Sequence, residues 1–109
     1  MNQDKQVLHF DETPKTIFDW AKETFGAVKP LSVGIRMNHE VGELLSALEE
    51  GTNATAILYE CADIRIMLSQ IEYAYGGNPQ ELVNSKMKLN RERSWANING
   101  KIQHVSETP

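Results

Sequence analysis

Apolar positions recur at helical spacing through most of the chain, and the breaks between the runs fall at capping and stopping residues. A first helix is predicted from Thr13, an N-cap, with Pro14 at its first position, to about Phe25, where Gly26 ends it. Ile17, Trp20, Ala21 and Phe25 form its apolar stripe. Residues 1–12 read as a short irregular arm that Val7, Leu8 and Phe10 pin to the body. Lys29-Pro30-Leu31 reads as a connector, and Ser32 as the cap of a second helix that reaches Glu50 and stops at Gly51. The buried face of that helix is Val33, Met37, Val41, Leu44, Leu45 and Leu48, with Glu40 and Glu43 beside it. Asn53 or Thr52 caps a third helix that ends near Tyr75, before Gly76-Gly77. Asn78-Pro79 opens a fourth, which runs through Leu82, Val83, Met87 and Leu89 to Arg93 or Trp95. In the C-terminal tail, Asn99-Gly100 is a turn signal, and Ile98, Ile102 and Val105 suit a short hairpin or an arm. The fold class is therefore all-α, a four-helix bundle with an irregular N-terminal arm and a C-terminal tail.

The third helix departs from simple amphipathicity. Ile57, Leu58, Cys61, Ala62, Ile64, Ile66, Met67, Leu68 and Ile71 surround it almost completely. A helix without a wet face is central, or a second subunit covers it. In a chain of 109 residues, read as a single domain over 1–109, the second option points to a homodimer or larger assembly.

Composition narrows the function classes. A net charge of −4 gives no global electrostatic case for nucleic acid. The longest apolar run falls short of a membrane span, and the N-terminus lacks the order of a signal peptide. A single cysteine, Cys61, leaves no intrachain disulfide and fits a reducing, cytoplasmic setting.

Against that background the placement of four carboxylates stands out. Glu40 and Glu43 are spaced i, i+3 on the second helix, and Glu60 and Asp63 are spaced i, i+3 on the third. Glu43 and Glu60 lie equally far from the Gly51-Thr52 break, and so do Glu40 and Asp63. An antiparallel hairpin there brings all four to about one height. An acidic i, i+3 pair on a helix is ordinarily solvated surface. Four carboxylates in one place, two of them within an apolar segment, repel unless a cation sits among them. Hard oxygen ligands on rigid helices suit Mg2+, with Mn2+ as a substitute, and Mg2+ ordinarily brings a phosphate with it.

The fourth helix supplies a possible counterpart. Lys86, Asn90 and Arg93 are spaced i, i+4, i+7 and share one face, offering an ammonium, an amide and a guanidinium to a polyphosphate. The plain alternative is a solvated basic face at a helix C-terminus. For a base, Trp95 is the better stacking candidate because it follows this stretch, whereas Trp20, at helical spacing, reads as core. Tyr59, Tyr73 and Asn38 are further candidates, and His39, pointing about 100° away from Glu40, reads as surface or interface. His9 and His104 lack metal-ligand spacing, Cys61 reads as a core thiol, and Met37, Met67 and Met87 read as packing. Gly76-Gly77 is a helix stop, since no Gly-Lys-Ser/Thr follows it.

The order Glu-x-x-Glu, sixteen intervening residues, Glu-x-x-Asp and then Lys-x-x-x-Asn-x-x-Arg resembles the all-α NTP pyrophosphatase (MazG-like) superfamily. EVGEL at 40–44 is similar to its first motif and ECAD at 60–63 to its second. KMKLNRERSW at 86–95, NGKIQHV at 99–105 and DWAKETFG at 19–26 resemble segments of phage-associated dNTP pyrophosphohydrolase members. The resemblance implies hydrolysis of a nucleoside triphosphate between its α and β phosphates. It implies that Glu40, Glu43, Glu60 and Asp63 hold Mg2+, that Lys86, Asn90 and Arg93 hold phosphates, and that the protein is a homodimer or homotetramer. The alternative is a noncatalytic helical scaffold or a regulatory nucleotide-binding member of the same fold. A di-iron bundle is disfavoured because no Glu-x-x-His motif occurs.

Overall fold

The computed structural model describes residues 11–105, so residues 1–10 of the arm expected over 1–12 lie outside the described residues. The elements in chain order are α1 (Pro14–Phe25), α2 (Pro30–Glu50), α3 (Ala54–Tyr75), α4 (Pro79–Glu92), β1 (Ser94–Ile98) and β2 (Lys101–Val105). They form two compact units that divide between Gly77 and Asn78.

In the first unit the helix ends follow local chemistry. Thr13 and Thr16 form a reciprocal cap, each side-chain oxygen accepting the other's backbone N–H, at 3.1 and 2.8 Å. Pro14 then fixes the first helical φ without wasting a donor. Helix α2 begins earlier than the Ser32 cap expected from sequence. Pro30 is already in its first turn, Lys29 is the N-cap, and the Ser32 N–H bonds the Lys29 carbonyl at 2.9 Å. Proline at the first position outweighs the serine because its φ is preset and its missing N–H would be unpaired anyway.

Between α2 and α3 the chain reverses in three residues, Gly51, Thr52 and Asn53. Gly51 is left-handed at φ 69°, and the Thr52 N–H returns to the Ala47 carbonyl at 3.2 Å, closing the last turn of α2. Asn53 caps α3 by accepting the Ala56 N–H at 2.9 Å.

Helix α3 packs against both α2 and α1. The inward stripe of α2 is Val33, Met37, Glu40, Val41, Leu44 and Ala47, and that of α3 includes Ile57, Glu60, Cys61, Ile64, Met67 and Ile71. Two expectations for α2 are corrected here. Glu40 sits within the stripe rather than beside it, and Leu45 and Leu48 face out, Leu45 with 61% of its surface exposed. Among the described residues only Ala21 and Glu40 are buried, and neither completely. Leu31, Leu58 and Tyr59 stand open to solvent. On α1, Ile17, Phe18 and Ala21 turn inward, and Phe18 meets Tyr73 with ring centroids 4.9 Å apart. Trp20 is not core, as its spacing suggested. It lies 55% exposed with its ring edge-on to Phe25 at 5.6 Å.

The second unit joins α4 to a two-stranded antiparallel hairpin. Asn78 caps α4 through the Glu81 N–H, and Pro79 follows at its first position. The helix ends at Glu92, earlier than Trp95, and Arg93 leaves it with extended backbone. Of the two forms expected for the tail, hairpin or arm, it takes the hairpin. Asn99 and Gly100, with φ of 55° and 82°, make the two-residue turn that pairs Ile98 with Lys101 and Trp95 with His104. Both positive φ values suit the twist of a tight hairpin, and Asn-Gly supplies them at least cost.

Candidate metal centre

The short reversal after α2 brings Glu40 of α2 against Glu60 and Asp63 of α3. One carboxylate oxygen from each lies within 4.8 Å of the others. Glu40 is only 7% exposed, Glu60 is half-buried and Asp63 is exposed, so the cluster runs from the helix interface outward. Loss of hydration, then Asp63, Glu43 and Glu40, together hold the Glu60 carboxyl above its ordinary 4.5. A cation among these carboxylates would relieve their repulsion, and an all-oxygen donor set fits Mg2+ or Mn2+.

Glu43, expected as the fourth member, stands just outside the trio. Its carboxylate faces His39, one helical turn back, with Oε1 to Nε2 at 3.5 Å. It still acts on Glu60 through its charge. Glu40 has its own cation, since Arg36 Nη2 lies 3.3 Å from its Oε2. Sequence reasoning passed over Arg36 and set His39 aside. The signal for both was the i, i+4 spacing, Arg36 to Glu40 and His39 to Glu43.

Beside the cluster lies a cleft of ≈ 790 Å³ between α1, α2 and α3. Asp63 and Arg36 belong to its wall, so the cleft meets the cluster at Asp63. Phe18, Trp20, Phe25 and Met67 supply apolar surface, and Ser32 and Gln70 supply polar groups. That mixture suits a flat heteroaromatic ring with a few hydrogen-bonding edges.

The remaining candidates are dispersed. Asn38 and Tyr59 are exposed, Tyr73 packs on Phe18, and Cys61 is a half-buried free thiol. His9 lies outside the described residues. In the second unit, Lys86 and Asn90 are one turn apart on α4, while Arg93 lies past the helix end with extended backbone, so the expected single helical face holds only the first two. Trp95 donates its indole N–H to the Asn90 carbonyl at 2.9 Å and packs its ring on His104 at 5.4 Å.

No family profile matches the chain. A curated relative, the dATP/dGTP diphosphohydrolase of cyanophage S-2L, is 28% identical over 101 residues, covering 88% of this chain and 96% of the relative. A solved structure of the cyanophage S-2L MazG-like pyrophosphohydrolase, bound to dGDP and three catalytic Mn2+ ions per active site, superposes with a TM-score of 0.70. It is 25% identical, and the match covers 87% of this chain and 91% of that one. The four helices thus have the MazG-like all-α fold, and the chain is related to the MazG-like NTP pyrophosphatases.

Proposed function

We propose that this protein is a metal-dependent nucleoside triphosphate pyrophosphohydrolase, a hydrolase of nucleotide phosphoanhydrides that cleaves between the α and β phosphates. The observation that carries the reading is the convergence of Glu40, Glu60 and Asp63 within 4.8 Å on two antiparallel helices. The relationship to a dATP/dGTP diphosphohydrolase supplies the substrate class, and the Mn2+ ions of the related structure agree with the donor set.

In this reading Glu40, Glu43, Glu60 and Asp63 hold Mg2+, which Mn2+ can replace. Such a metal neutralises polyphosphate charge and lowers the pKa of water. Glu43, outside the tight trio and braced by His39, orients the attacking water and accepts its proton on a carboxylate oxygen. Oxygen adds at phosphorus, the bond between the α and β phosphates breaks, and nucleoside monophosphate and pyrophosphate separate. The cleft lined by Trp20, Phe25 and Gln70 receives the nucleoside. Lys86, Asn90 and Arg93 contact the phosphates, with Trp95 completing that stretch. Residues 1–109 act as one such domain within a homodimer or homotetramer that covers the open apolar surface of α2 and α3.

The test is turnover of a panel of canonical and modified nucleoside triphosphates, dATP and dGTP first, with Mg2+ or Mn2+ and products resolved by chromatography. Monophosphate plus pyrophosphate, lost on chelation, is the expected result. Orthophosphate release would overturn the cleavage site. A folded protein that binds nucleotide without turnover would turn the assignment to a regulatory member of the fold.

A further inference from the structure

Arg93 is the one member of the proposed phosphate-binding stretch that α4 does not hold. The helix ends at Glu92 and β1 begins at Ser94, so Arg93 alone forms the joint, with φ −93° and ψ 155°. A single extended residue between two elements has no regular structure to fix its side chain. Its backbone is held by one oxygen. The Asn90 carbonyl accepts the Arg93 N–H at 3.2 Å and the Trp95 indole N–H at 2.9 Å. These two bonds clamp the joint from the residue itself and from two residues beyond. The indole is held on its other side by His104, its register partner across the hairpin, with ring centroids 5.4 Å apart. The carbonyl concerned is one of the last in the helix, which lack the usual i+4 amide partner, so it is open to the Arg93 N–H and to the indole together. Among the described residues no carboxylate forms an ion pair with Lys86 or Arg93.

We infer that Trp95 is a positioning residue whose indole N–H, bonded to the Asn90 carbonyl, sets the joint from which Arg93 reaches the substrate's phosphates. The inference rests on the reading of Arg93 as a phosphate ligand. It gives Trp95 a role distinct from base stacking, and the two roles separate kinetically. A clamp on a phosphate ligand affects every base alike, whereas a stacking platform distinguishes purine from pyrimidine.

The experiment compares wild type, Trp95→Phe, Arg93→Ala and the double variant with Mn2+, using dATP and dCTP. Phenylalanine keeps a ring against His104 and removes the donor. Loss of one neutral hydrogen bond predicts a KM increase of about three- to tenfold for both substrates. The turnover number should stay within about twofold, and the double variant should match Arg93→Ala within about twofold, as expected when one residue acts through the other. Additive losses, or a KM change confined to one base class, would overturn the inference while leaving the phosphate reading standing. Wild-type KM in Arg93→Ala would overturn the phosphate reading itself and the inference with it. If the phenylalanine variant does not fold, the benzothienyl isostere of tryptophan, with sulfur in place of the N–H, makes the same comparison at constant shape. Faster hydrogen exchange at the Arg93 amide in either variant is the accompanying structural readout, and unchanged exchange would overturn the clamp.

Discussion

Asp63 is the most accessible of the three clustered carboxylates, and its charge has two opposite effects. As a proposed ligand it attracts a cation, and as a neighbouring anion it repels Glu60. Asp63→Asn should therefore split activity from stability. Outer-shell changes at metal sites cost roughly ten- to a hundredfold, so loss of a ligand should lower turnover by more than about a hundredfold. The metal-free melting temperature should hold or rise because repulsion is relieved. The rise on adding Mn2+, present in wild type, should shrink or vanish. Full activity with an unchanged Mn2+ response would remove Asp63 from the metal set. Glu60 makes a second prediction with a definite sign. Its carboxyl is raised above 4.5 in the folded protein, so the native state holds more protons than the unfolded chain in the window above 4.5. The stability tied to protonated Glu60 is complete below 4.5 and is lost as pH rises through the raised value. Denaturant melts of metal-free wild type against Glu60→Gln across that window should show wild type losing stability relative to the variant. The opposite slope would mean that Glu60 is stabilised as an anion. At this scale the identities of the acids were legible because four carboxylates mirrored about a turn are visible as spacing. The departure of Glu43 from the trio was not, since its rotamer answers to His39 rather than to helix phase.

At the scale of elements, the α2–α3 reversal decides whether the site exists. Its geometry rests on Gly51 at φ 69° and on the Asn53 cap. A Cβ at Gly51 meets no atom within 4 Å, so the cost of Gly51→Ala is conformational rather than steric crowding. A left-handed residue other than glycine costs about 1–2 kcal/mol. A thermal melt should register that loss. Mn2+ affinity should fall as well, because α2 and α3 carry the carboxylates on opposite sides of this turn. Lower stability with unchanged Mn2+ affinity would show that the reversal is tolerant and that packing alone sets the height of the acids. The caps at Thr13, Asn53 and Asn78, the stops at Gly26, Gly51 and Gly76, and the Asn99-Gly100 turn were all readable, because each is a local device carried by one or two residues. The misreadings arose where two local signals competed or where the third dimension chose. Pro30 overrode Ser32. Leu45 and Leu48 fit an apolar period but face out, while Glu40 takes a place on the inward face.

For the molecule as a whole, the apolar surround of α3 is what the oligomer proposal rests on. The helix shows a half-buried stripe toward its neighbours and open leucines elsewhere, Leu58 at 65% exposure among them. Leu45 and Leu58 sit on the two helices that bear the carboxylates. If a second copy covers them, the same assembly that completes the core also stiffens the metal centre. The charge substitution Leu58→Glu separates the possibilities. On a free surface it should change stability by within about 0.5 kcal/mol. At a subunit contact, two apolar faces that each lose ~2 kcal/mol of burial and gain an unpaired charge should dissociate the protein to monomers at micromolar concentration. Sedimentation equilibrium reads the mass, and Mn2+ titration in the same samples reads the site. An assembled wild type, a monomeric variant and weakened Mn2+ binding would join assembly to the chemistry of the carboxylates. A monomeric wild type would leave that apolar surface without a second copy and end the oligomer proposal.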